Sequence, residues 1–390
     1  MLTTINLAPS FGFGDRLGSA TPGHIAAVRG SHFVPVFAQQ SVRENARTGR
    51  TPQQVIDDAR HAVEAARWDA PWGADADHLK TVDDLLPFVA AGYTFFTVDP
   101  GAYVVNEADK ADPTTLRQLL DKRLDWDELS GLYLEQNLIP GLPSFNEVAL
   151  LRAVVKYGQA ILHTISMYRR LTDLKESFDF EVSVDETDSP TSPLEHFFIA
   201  NELTRQEVAF TSLAPRFIGR FEKGVDYIGD LDLLNAELVK HAAVTSHFGT
   251  YKISLHSGSD KFSVYPFLAK YWGSRIHVKT AGTSYLEALR TLAMAEPELF
   301  GRIWRLGLER YPTDRATYHV SADPARVPAI QDPSQYLNDF HAREILHVTF
   351  GSALAEFGDE IRAGLTRHNV AYQSNLQKHF AKHLALLKAG

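Results

Sequence analysis

"YKISLHSGSDKFSVYP", residues 251–266, alternates apolar and polar residues as far as His256, then breaks into Ser257, Gly258, Ser259, Asp260 and Lys261. Successive side chains of a strand point to opposite faces. If Ile253 and Leu255 face a covering layer of helices, then Lys252, Ser254 and His256 face the other way. A closed barrel accounts for this, because its strand residues alternate between a helix-facing side and an interior.

Other stretches read as strands by the same test. They are "SFGFGDR" near residue 12, "HFVPVFAQ" (32–39), "GYTFFTVDP" (92–100), "FDFEVSVDE" (178–186), "FTSLAPRF" (210–217), "SRIHVKTA" (274–281) and "TYHVSAD" (317–323). Helical segments lie between them. Thr51-Pro52-Gln53-Gln54 and Ser192-Pro193-Leu194-Glu195 each set a capping residue before Pro, with Gln or Glu three places on, the signature of a capping box. Gly249 and Gly273 close two further helices, since glycine accepts the backbone conformation that ends one.

Eight strand–helix units predict a single (β/α)8 TIM-type barrel over residues 1–390, although an open doubly wound sheet gives similar local signals. Residues 103–174 exceed one crossover helix and are expected to form a helical insertion after strand 3. Extra helices are expected at the C-terminal end, beyond the last strand.

Composition narrows the partners. With 44% hydrophobic residues the 390-residue chain can bury a large core, and a net charge of −9 with no clustered basic surface argues against nucleic acid. No apolar run is long enough to span a bilayer and the N-terminus reads as no secretory signal, so the expectation is a cytoplasmic protein with no membrane partner. A homo-oligomer is compatible with the sequence. The chain has no cysteine, so any metal must be held by His, Asp or Glu.

Strand phase then places chemistry on the interior. Glu181, Ser183 and Asp185 share the inward face of one strand, His277 and Lys279 of another, and His319, Ser321 and Asp323 of the last. Barrel interiors are usually filled by branched apolar residues, so His, Lys, Asp and Glu there, near the C-terminal strand ends, point to an active site. His256, His277 and His319 are candidate ligands of one divalent ion such as zinc, manganese, nickel or iron, and each taken singly also fits a hydrogen-bonded core histidine. Asp185 or Glu186 could be a fourth ligand or a proton carrier, and Asp185 could equally cap the next helix. Lys279 is a catalytic candidate that also fits a buried ion pair. Glu222, after the fifth predicted strand, reads either as a catalytic carboxylate or as part of a solvated turn. Asp15 and Arg16 are expected at the site from the first loop, or as an ion pair closing the barrel. Asp99, Ser257, Ser259, Lys261 and Asp323 are expected to contact substrate, and Gly282 to offer helix amides to an anionic group.

"SFGFGDRLGSATPGH", "TFFTVDPG", "SVDETDSPTSPLEHFF", "LAPRFIGRFEKGVDYIGDLD", "KISLHSGSDKFSVYP", "HVKTAGTSYLEALR" and "HVTFGSAL" together resemble the tagaturonate epimerase family, from residue 10 to residue 354. The resemblance implies interconversion of D-tagaturonate and D-fructuronate on a barrel scaffold with a divalent metal, and hence a hexuronate substrate. These ketouronates differ at a hydroxyl carbon β to the ketone, which simple enolisation cannot invert and retro-aldol cleavage can. A class II-type aldolase or ketose isomerase, and a non-catalytic sugar-acid-binding barrel, are the other readings of the same interior.

Overall fold

The computed structural model describes residues 1–329 and 331–388. Its centre is a closed barrel of eight parallel strands in chain order: β1 (Ser10–Phe13), β2 (Val34–Ser41), β3 (Gly73–Leu79), β4 (Phe95–Val98), β5 (Asp179–Val184), β6 (Ser212–Pro215), β7 (Lys252–Leu255) and β8 (Ile276–Thr280). β8 returns to β1 with Lys279 opposite Gly12. Helices follow the strands and cover the outside, giving the (β/α)8 TIM-type fold expected from the sequence.

Two strand assignments need correction. "GADADHL" forms β3, which the sequence reading missed because alanine, aspartate and histidine carry little of the β-branched and aromatic signature. "TYHVSAD" is not a strand: the 3-10 turn Arg315–Thr317 leads into a loop there, and His319 is exposed. The helices Pro113–Leu119, Trp126–Tyr133 and Glu147–Leu174 therefore lie after β4, not after a third strand.

Outward-facing Phe11, Phe13, Val182, Ile253, Leu255, Ile276 and Val278 are buried against the helices. Each such side chain contributes about 1.5–3 kcal/mol relative to exposure. Both capping boxes form, opening the helices Pro52–Ala65 and Pro193–Arg205. Gly249 ends the helix Leu231–Phe248 at φ 68°, and Gly273 ends Tyr265–Trp272 at φ 48°. Below the lumen, Asp179 accepts hydrogen bonds from the Ile5 and Asn6 amides at 2.5 and 2.8 Å, sealing the N-terminal end. Three helices, Phe340–Val348, Phe350–Arg367 and Asn369–Leu386, complete the chain against the barrel. No helix among the described residues is long and apolar enough to cross a membrane.

Candidate active site

The C-terminal ends of β3, β5, β7 and β8 converge on one polar cup. β3 shapes it through an irregularity: its register against β4 runs from Ala76 opposite Phe96 to Leu79 opposite Val98, so three steps on one strand match two on the other. A bulge breaks the two-residue alternation and re-aims side chains. Asp77 and His78, adjacent in sequence, consequently both face the cup. His78 takes a left-handed backbone, φ 54°, which costs a non-glycine residue about 1 kcal/mol or more.

Lys279 stands at the floor. Its Nζ lies 2.6 Å from Asp75, 2.8 Å from Asp77 and 2.8 Å from Glu181, and 2.5 Å from Thr97 Oγ1. Glu181 also accepts from His256 Nε2 at 2.6 Å and from Ser212 Oγ at 2.5 Å. The other ring nitrogen of His256 lies 3.1 Å from Asp185 Oδ1. His78 Nε2 lies 3.6 Å from the same oxygen.

Burial disfavours each charge here, so neighbours decide which survive. Burial opposes the Lys279 ammonium, but Asp75, Asp77 and Glu181 hold its pKa well above the usual lysine value. Burial likewise opposes the Glu181 carboxylate, and Lys279 with His256 still keeps it well below the usual range. For Asp75 burial prevails over Lys279, with Asp77 and Glu181 adding to it, and the carboxyl rises to about 7. His256 is pushed up to about 9: burial lowers it, and Asp185 and Glu181 outweigh both burial and Lys279. Burial also opposes the charged form of His78, but Asp77 raises it well above the usual value.

The donor set suits a divalent ion. Asp77, His78 and His256 each offer a ligand atom, and these atoms lie within 4.8 Å of one another. His78 Nδ1 lies 2.9 Å from Asp77 Oδ1, while its Nε2 is buried without a hydrogen-bond partner, an unmet demand that a cation would satisfy. Glu181 behind His256 is the carboxylate that commonly orients a ligating histidine. His78, Asp99 and Glu186 form an adjoining group of the same kind.

A cavity of about 270 Å³ opens over the cup, with Asp185, Glu186, Arg216, Glu222, His256 and Ser257 in its walls. It is close to the lower size limit of small-molecule sites.

The expected site residues divide. His256, Asp185 and Lys279 meet in the cup, with Asp99 alongside, its Oδ2 3.1 Å from Lys80. Ser257 lines the cavity and accepts from Lys223 at 2.6 Å. Glu222 forms an outer wall, holding the Ser321 amide and hydroxyl at 2.8 and 2.7 Å. His277 lies lower in the lumen, opposite Ser254, with its Nδ1 2.8 Å from Ser10 Oγ. His319 reaches only the exposed rim of the cavity. Asp15 is taken up by the Leu17, Gly18 and Ala20 amides of its own loop, at 2.7 to 3.1 Å. Arg16 pairs with Glu44 at 2.9 Å and stacks on Phe350. Lys261 donates to the carbonyls of Glu222, Val225 and Ser259 at 2.5 to 3.0 Å. Ser259 bonds Thr283, and Gly282 packs so closely on His347 that a Cβ would fall 1.9 Å from its Nε2. Asp323 caps a surface turn at Ala325. Asp75, Asp77 and His78 went unnoticed in the sequence with the strand that carries them; the Ala/Asp alternation of "GADADHL" was the available signal.

A closed parallel barrel with an ionised cup at the C-terminal strand ends is the arrangement of a TIM-barrel enzyme. A family model described as tagaturonate epimerase matches residues 3–387. A tagaturonate/fructuronate epimerase of Thermotoga maritima is 44% identical over 391 residues, taking in 98% of this chain and 81% of that protein. The glycerol-bound crystal structure of fructuronate-tagaturonate epimerase from Cohnella laeviribosi superposes with a TM-score of 0.95 at 38% identity, over 99% of this chain and 83% of that one. Its native crystal structure also gives 0.95. The chain belongs to the tagaturonate epimerase family and is an isomerase, a carbohydrate epimerase.

Proposed function

We propose that the protein interconverts D-tagaturonate and D-fructuronate by cleaving and re-forming the bond between the carbons α and β to the ketone, in the cavity above the Asp77–His78–His256 cup. The observation that carries this reading is the cup itself: an oriented His–carboxylate set under a sugar-sized cavity, in a chain with close epimerase relatives. A divalent ion held by Asp77, His78 and His256 would act as a Lewis acid on the substrate ketone.

The chain's own groups handle protons and position. Asp185 lines the cavity, and its carboxyl stays well below the usual range, burial being outweighed by His256 and then His78. Ionised at neutral pH, it accepts the proton of the β-hydroxyl as the carbon–carbon bond breaks. The electron pair of that bond passes to the ketone side as an enediolate. The aldehyde turns, the enediolate attacks its other face, and Asp185 returns the proton. Glu181 holds His256, and Lys279 fixes Asp77 and Glu181, so these two act as positioning residues.

The test is an NMR time course with D-tagaturonate carrying deuterium on the epimerised carbon, using protein treated with chelator and then supplied with manganese, zinc or nickel. Metal-restored formation of D-fructuronate with the deuterium retained and no primary isotope effect is the expected result. A primary isotope effect would replace the retro-aldol step with hydride removal and return, accumulating fragments would indicate an aldolase, and conversion indifferent to metal would remove the ion from the reaction.

A further inference from the structure

Three cations line the cavity over the cup: Arg216, Arg220 and Lys223. Arg220 is half exposed and pairs with Glu222 at 3.2 Å. Lys223 donates to Ser257 Oγ at 2.6 Å, and both also line a smaller cavity of about 30 Å³. Arg216 pairs with no carboxylate among the described residues, and its Nη1 is buried without any hydrogen-bond partner. Arg216 as a whole is part-buried, and a donor nitrogen shielded from water without an acceptor is an unmet demand beside a cavity able to admit an anion.

Its placement follows from β6. Ser212 faces the lumen, since it donates to Glu181, so Ala214 and Arg216 continue the same face towards the mouth. The backbone of Arg216 is fixed from both sides: its carbonyl accepts from Thr191 N at 2.8 Å, and its amide donates to Thr191 Oγ1 at 3.2 Å.

We propose that Arg216 is the carboxylate-binding residue of the cavity, selecting sugar acids over neutral sugars and retaining the acid-bearing fragment while the aldehyde turns. This rests on the epimerase reading above. In a 2-ketouronate the carboxylate is C6 and the epimerised carbon C4, so cleavage of C3–C4 leaves the carboxylate on the aldehyde fragment. That fragment must expose its other face without leaving. A fork of N–H donors gripping its far end permits rotation at C4 and opposes escape.

The test compares wild type with R216M, R216K and K223M on D-tagaturonate and on D-tagatose, in which a CH2OH replaces the carboxylate. Calorimetric binding of D-galactonate and galactitol runs in parallel. Arg216 has no partner to lose, so R216M is expected to melt at the wild-type temperature. R216M should raise the KM for D-tagaturonate and weaken D-galactonate binding by roughly 100-fold. Galactitol binding and any D-tagatose turnover should be unchanged, R216K should recover part of the loss, and more dihydroxyacetone should escape per turnover. Unchanged acid binding in R216M, or loss of acid selectivity in K223M instead, would overturn the proposal while leaving the epimerase reading in place. If wild type fails to convert D-tagaturonate yet binds D-galactonate through Arg216, the epimerase reading fails and the carboxylate subsite stands.

Discussion

Glu181 takes His256 and Lys279 on one oxygen and Ser212 on the other, so a single carboxylate sets both the orientation of a candidate ligand and the charge beneath it. Replacing it with glutamine keeps the shape and removes the charge. A carboxylate behind a ligating histidine is typically worth about 10–100-fold in metal affinity or activity. E181Q is therefore expected to shift the midpoint of a metal titration of kcat/KM by that order, and an unmoved midpoint would contradict the role. His78 makes a different demand, because its left-handed backbone suits asparagine far better than a β-branched residue. H78N should unfold at higher urea than H78V, by about 1 kcal/mol or more, while both lose activity.

At the scale of elements, legibility followed regularity. β7 and β8 keep their alternation to the last residue, so His256 and Lys279 could be placed by phase alone. β3 could not be read that way: its bulge sets Asp77 and His78 on one side, against the period, and its alanines carry little strand signature. The loop at 317–323 misled for the opposite reason. Val320 and Ala322 are buried, packing with Tyr311, Ile345 and Val348 in a small cluster of their own, so a true apolar alternation serves helix packing rather than a sheet. Arg216 escaped notice because nothing in a sequence reveals which arginines lack a partner. The polar run after β7 also proved structural in part: Asp260 bonds Arg343 at 2.9 Å and His379 at 2.6 Å, tying the loop to two C-terminal helices. Breaking such a buried pair costs about 3–5 kcal/mol. D260N is expected to lose that much in urea unfolding, and a change within the scatter of surface substitutions would show that the helices do not depend on it.

Across the whole molecule, buried histidines set the response to acid. Burial lowers His24 to about 4 and His241 and His383 to about 3, and drives His196, His277 and His347 well below the usual value. Groups depressed in the fold contribute stability that is complete above pH 6.5 and fades as pH falls, because the unfolded chain takes up protons that the folded one refuses. His78, His256 and His379 are raised and act in the reverse sense, their contribution complete below that pH and lost as it rises. Below pH 6 the raised three are protonated in both states and add almost nothing to the slope, so the six depressed histidines decide it and stability should fall steadily from pH 7 to pH 5. Urea unfolding at pH 7, 6 and 5 measures the slope, and a flat profile would mean that these histidines titrate normally in the fold.

Asp77, His78 and His256 are proposed to hold the divalent ion. Equilibrium binding of manganese or zinc to wild type, H78A, H256A and H319A, followed by calorimetry and metal analysis after dialysis, decides whether they do. Saturable binding is expected in wild type and H319A, and its loss in H78A and H256A. Retention of the ion by H78A, or its loss in H319A, would contradict that assignment.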